Sequence, residues 1–248
     1  MKTKIILIAG LFTTTPVAFA HDGQRIFLGN SGGRITTYIG DNNESSTLFS
    51  SERIFSTELP NFLGSGIYTT DFPGYQIVEG TGVVSNTDFS FNLLGPLLYF
   101  DNYNPVNGTG IFKPVSTAFS SLSGIPQMAL SESSSVRVTS GLPQTGFSFL
   151  TYTGAGDHGH ISYTLFGNGT GVSNGPAGMY ALPLEITSPS LSTSLPFYLL
   201  LGKDVAPGTP QFIASESIAH TTLVPEPGAL SVLALMMLSI TRRRRKIE

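Results

Sequence analysis

The sequence predicts an all-β fold, a single domain of the β-sandwich or jelly-roll kind, and three observations carry that prediction. Ser, Thr, Gly, Pro, Asn, Phe and Tyr dominate, and charged residues make up only 12% of the chain. Outside its two ends, no window repeats apolar residues at helical spacing for three turns. Short apolar or alternating runs recur instead between Gly, Pro and Asn turn signals.

The chain begins with an export signal rather than with the domain. Lys2 and Lys4 precede the apolar run 5–12, and Ala18 and Ala20 flank Phe19 with the small residues that signal peptidase accepts. Residues 1–20 are therefore expected to be removed, leaving His21 as the first residue. The chain has no Cys, so the exported body is expected to hold by packing without disulfides.

An all-β exported domain is expected over 21–201. Its candidate strands are 25–28, 34–39, 53–56, 87–94, 97–100, 134–139, 146–152, 160–166, 179–187 and 196–201. Several alternate, such as Tyr180, Leu182, Leu184 and Ile186 against Ala181, Pro183 and Glu185, which predicts one face in the core and one in water. Pro183 lacks a backbone donor, so its strand is expected at an edge or at a bulge. The polar stretches 101–110 and 167–178 read as long connections, with turn chemistry at Asn107-Gly108 and Asn168-Gly169. Pro-rich 202–223 reads as a linker without a helix.

The last segment, 224–248, has three parts. Val224 leads into Pro225, Glu226 and Pro227, whose prolines stop any strand or helix interior. The uncharged run 229–240 favours a helix in lipid, yet it is short of the ~20 residues that cross a bilayer core. Arg242, Arg243, Arg244 and Arg245 then resist translocation, which places everything before the run on the outer side of the inner membrane.

Charge and motifs exclude several functions. Between the two ends lie six basic and 14 acidic residues, a net charge near −8, which argues against nucleic acid as a partner. No phosphate-cradling Gly loop and no Cys nucleophile is present. Carboxylate pairs exist in number, but nothing singles one out, so no catalytic residue and no enzymatic activity is assigned. The absence of Trp removes the flattest platform for stacking on a sugar, although nine Tyr remain.

Histidine is the one constellation with chemistry in it. His158 and His160 stand two apart at the start of the candidate strand, so period two puts both imidazoles on one face, where they can close on copper or zinc. His21, with a free amine after cleavage, forms a second candidate chelate that suits copper. An accident of cleavage and a solvated loop are the simpler alternatives, and no required cofactor is assigned. The His-x-His pair is similar to the first cupin motif, but no Glu follows at the expected distance.

Val224-Pro-Glu-Pro-Gly228, the short apolar helix and the Arg cluster resemble the PEP-CTERM sorting tail of Gram-negative bacteria. That resemblance implies recognition by an exosortase-like membrane protease, removal of the helix, and delivery to the outer surface or extracellular matrix, with matrix polysaccharide as a candidate partner. The body is also similar to planctomycete-type exported PEP-CTERM proteins, through Glu52-Arg-Ile-Phe55, Phe91-Asn-Leu-Leu-Gly-Pro96, His158-Gly-His-Ile161 and Gly178-Met-Tyr-Ala-Leu-Pro-Leu-Glu-Ile186. A structural or adhesive surface protein is the resulting expectation, with a metal-binding surface module as its alternative.

Overall fold

The computed structural model describes residues 25–39, 50–77, 82–120, 124–132, 135–154, 157–167 and 175–224. In chain order the strands are β1 (Ile26–Ser31), β2 (Arg34–Ile39), β3 (Ser50–Ser51), β4 (Ile54–Leu59), β5 (Tyr68–Thr70), β6 (Tyr75–Ile77), β7 (Thr87–Leu93) and β8 (Leu98–Asn104). They continue as β9 (Thr109–Pro114), β10 (Pro126–Glu132), β11 (Ser135–Val138), β12 (Gln144–Tyr152), β13 (His158–Gly159), β14 (Ser162–Gly167), β15 (Gly178–Thr187) and β16 (Phe197–Lys203). A one-turn helix α1 (Val115–Ala118) and a longer α2 (Pro210–Thr222) complete the fold, which is mostly β.

Three sheets share one core. A five-stranded sheet runs β13-β6-β1-β2-β3, a four-stranded one β11-β10-β14-β5, and a seven-stranded one β12-β7-β15-β16-β4 with β8 and β9 attached through β15. Ile26, Leu28 and Tyr75 from the first meet Leu130, Tyr163 and Leu165 from the second and Phe91, Leu182 and Phe197 from the third. Aromatic rings fill its centre: Phe91 stacks on Phe149 at 4.1 Å, and Tyr75 meets both edge-on at 4.8 and 5.0 Å. Such pairs add to the area they bury. The β1–β2 hairpin turns on Gly32 and Gly33, both at positive φ, the backbone that a two-residue hairpin needs.

The predicted strands are present, most with shifted ends, and six further strands among the described residues, β3, β5, β6, β9, β10 and β13, escaped the sequence reading. The stretch 101–110 is corrected: β8 runs through Asn104, and β9 begins at Thr109 as its antiparallel partner. Lys113 on β9 binds Asp101 on β8 at 2.8 Å, which holds that carboxyl below its usual range. Polar residues conceal this hairpin because β9 lies at the edge of its sheet, where one side of each strand is wet.

Pro183 does not mark an edge, because β15 lies inside the seven-stranded sheet. Its register with β16 runs unbroken from Gly178 opposite Lys203 to Leu184 opposite Phe197. On its other flank β15 pairs with β8 at Tyr180 and Ala181 and with β7 from Leu184 onward. Pro183 falls between those partners, and its carbonyl accepts from Leu94 N at 3.0 Å on that side. The N and C=O of one strand residue point to the same flank, so the missing donor faces the gap between β7 and β8.

The segment read as a linker, 202–223, is part of the body. β16 continues through Lys203, and α2 packs on the face of the seven-stranded sheet turned away from the main core. Phe212, Ser215 and Ala219, spaced by three and four, form its buried stripe, above Met179, Ala181 and Leu200. Pro210 occupies the first turn of α2, where no backbone donor is needed. Because the helix covers this face, Ala181 and Pro183 are as buried as Tyr180 and Leu182, and the expected wet face of β15 begins only at Glu185. Among the described residues no helix is long and apolar enough to cross a membrane, and the apolar run 229–240 lies outside them.

Candidate functional site

The histidine pair sits on the edge of the five-stranded sheet. β13 pairs antiparallel with β6, setting His158 opposite Gln76 and Gly159 opposite Tyr75. Gly159 and Ile161 turn inward while His158 is exposed and His160 half-buried, which is the alternation predicted for 158–164. The regular part of the strand starts later than expected, at Ser162. The two imidazole centroids stand 5.2 Å apart with their planes perpendicular. Gly74 makes room for this: a Cβ there would come within 3.1 Å of the His160 ring.

The neighbouring carboxylate is already committed. Asp157 accepts from the backbone and hydroxyl of Thr153 and from Gly154 N at 3.0 Å, and these bonds hold its carboxyl below the usual range. It closes the loop before β13. Among the described residues no group of three or more His, Asp or Glu gathers around one point. His21 lies outside the described residues, as do Ala18, Ala20, Pro225, Glu226, Pro227 and Arg242 to Arg245.

Val224, the one sorting-tail residue that is described, ends the body. It is 5% exposed, and its N–H donates to Ala219 O at 3.2 Å. The chain is thus part of the folded body as far as Val224, the residue before Pro225 in the sequence.

Beside Val224 opens a cleft of about 500 Å³ that the sequence reading missed. One wall is β2, where every residue from Arg34 to Tyr38 takes part in the lining, Ile35 and Thr37 buried and Arg34, Thr36 and Tyr38 more open. Glu52, whose N–H donates to Thr37 O of β2 at 3.0 Å, continues the lining with Arg53, and His220 completes it from the end of α2. Glu52 Oε1 accepts from Arg53 N at 2.6 Å and Ile54 N at 2.8 Å, and His220 Nδ1 lies 3.9 Å away from it. Arg53 Nε donates to Pro196 O at 2.8 Å, which fixes the direction of its side chain. His220, in the segment read as a linker, is half-exposed at the end of α2. The legible signal was the scarcity of cations: two of the six in the body, Arg34 and Arg53, line this cleft.

Protein-family models, curated proteins and solved structures, each compared with the chain, give no match to it.

Proposed function

We propose that the chain is an exported cell-surface or extracellular-matrix protein of structural or adhesive type, without enzymatic activity. Its body is a β-sandwich of jelly-roll kind, delivered by a signal peptidase and an exosortase-like membrane protease. The observation that carries this reading is the order of parts at the C-terminal end: Val224-Pro-Glu-Pro, an apolar run too short to hold firmly, then four arginines. Support also comes from the acidic body, which stays soluble in the open and repels nucleic acid. Replacing Pro225 and Pro227 by Ala is expected to leave the protein in the inner-membrane fraction. Unchanged release into the medium would overturn recognition of that turn.

A second reading is favoured by one observation, the 5.2 Å separation of the His158 and His160 rings. It makes the surface a copper or zinc module, with His21 as a further ligand. Metal analysis of the released protein separates the two. Stoichiometric metal lost in His158→Ala and His160→Ala supports the module, and metal-free wild-type protein after copper and zinc loading removes it.

A further inference from the structure

We propose that the cleft between β2 and the end of α2 binds a sugar acid, with Arg34 as the carboxylate receptor. The argument starts from charge. In a body with 14 acidic residues, two of the six cations, Arg34 and Arg53, line a single cleft, which concentrates a third of the body's positive side chains beside the one carboxylate of Glu52. Arg34 is also the cation that the fold leaves uncommitted. Arg25 binds Gln76 at 2.6 Å, Lys113 binds Asp101, Arg137 lies over the Phe147 ring, Lys203 donates to Gly175 O and Arg53 to Pro196 O. Among the described residues the Arg34 guanidinium has no such partner, and it stands exposed at the cleft wall.

The pattern along β2 then selects the kind of anion. Arg34, Thr36 and Tyr38 occupy alternate positions of one strand, so a guanidinium, a hydroxyl and a phenol follow one another at intervals of about 6.6 Å. A planar guanidinium takes a carboxylate by two parallel hydrogen bonds. Glu52 lines the same cleft with one oxygen held by backbone N–H groups, leaving the other to accept from a ligand hydroxyl. A carboxylate with hydroxyls around it, lying against an aromatic ring, matches that sequence of groups. A bare inorganic anion would leave Thr36, Tyr38 and Glu52 unused, and Glu52 would repel it.

The inference goes beyond surface display and does not depend on it, because binding is measured on purified protein and tail processing on cells. Full-length chain in mild detergent is titrated calorimetrically with galacturonic acid, trigalacturonate, neutral galactotriose and sodium sulfate. Trigalacturonate is expected to bind about tenfold or more tightly than galactotriose, with Arg34→Gln abolishing that difference and Lys113→Gln leaving it intact. Thr36→Val, a change of similar size on an exposed strand face, is expected to weaken the acid severalfold. A monomer that binds as well as the trimer identifies a free sugar acid as the source, and affinity rising with length identifies a polymer. No binding of trigalacturonate, equal binding of sulfate, or an Arg34→Gln variant that binds as wild type would each overturn the proposal.

Discussion

Cutting the chain after Lys203 is expected to yield an unfolded or aggregated product, whereas cutting it after Val224 is expected to leave a folded one. The difference is α2. It covers Ile54, Phe100, Met179, Ala181 and Leu200, a second apolar face that would otherwise lie in water. Phe212 is the largest side chain of the helix stripe and is 4% exposed. Phe212→Ala should therefore cost about 3–5 kcal/mol, a large part of the roughly 5–15 kcal/mol that holds a domain of this kind. Ile213, on the outer side of α2 and 55% exposed, provides the control, with a change within about 0.5 kcal/mol on replacement by Ala. Urea unfolding midpoints of the two variants decide the matter. Equal midpoints would mean that the helix rests on the sheet without supporting it.

Tyr75→Phe and Tyr163→Phe should each destabilise by about 1–3 kcal/mol, the cost of stranding a buried hydroxyl, while the double variant should return to the wild-type value or exceed it. The two phenols, both fully buried, share a hydrogen bond of 2.5 Å and join the five-stranded to the four-stranded sheet. Each single change leaves the other hydroxyl without its partner. Removing both leaves only apolar rings of nearly the same shape. Burial raises both phenols above their ordinary value of 10.0, Tyr75 also through the nearby charge of Tyr163. A raised folded-state value means that the stability is complete below 10.0 and is lost as the pH climbs above it. Thermal unfolding at neutral and alkaline pH measures both effects, and additive single and double changes would refute the pairing.

The strands legible in the sequence are those whose two faces differ. β2, β7, β12 and β14 alternate between core and water or carry aromatic residues inward, and each was placed to within two residues. β5 and β6 are three residues long, too short for period two to show. β15 was found but its surroundings were misread, because Pro183 normally signals an exposed flank and the change of neighbour from β8 to β7 is a tertiary fact. The stripe of α2 was hidden because Ser215 and Ala219, small enough to let the helix approach the sheet, do not register as apolar periodicity. Of the candidate site, the shared face of His158 and His160 followed from spacing alone. The cleft did not, since Arg34, Glu52 and His220 meet only when β2, the start of β4 and the end of α2 are folded together.

The parallel pairing of β4 with β16 joins the first third of the chain to the last: Ile54 lies beside Tyr198, and Arg53 reaches Pro196 across 143 residues of sequence. Closing so long a loop returns no contacts until its end, and topologies dominated by distant pairings fold slowly, on the order of milliseconds to seconds. Residues 54–59 therefore wait for residues 198–203 before their ladder can form. The polypeptide stays open and threadable until nearly all of it has emerged, and completion of the body coincides with the appearance of its final helix.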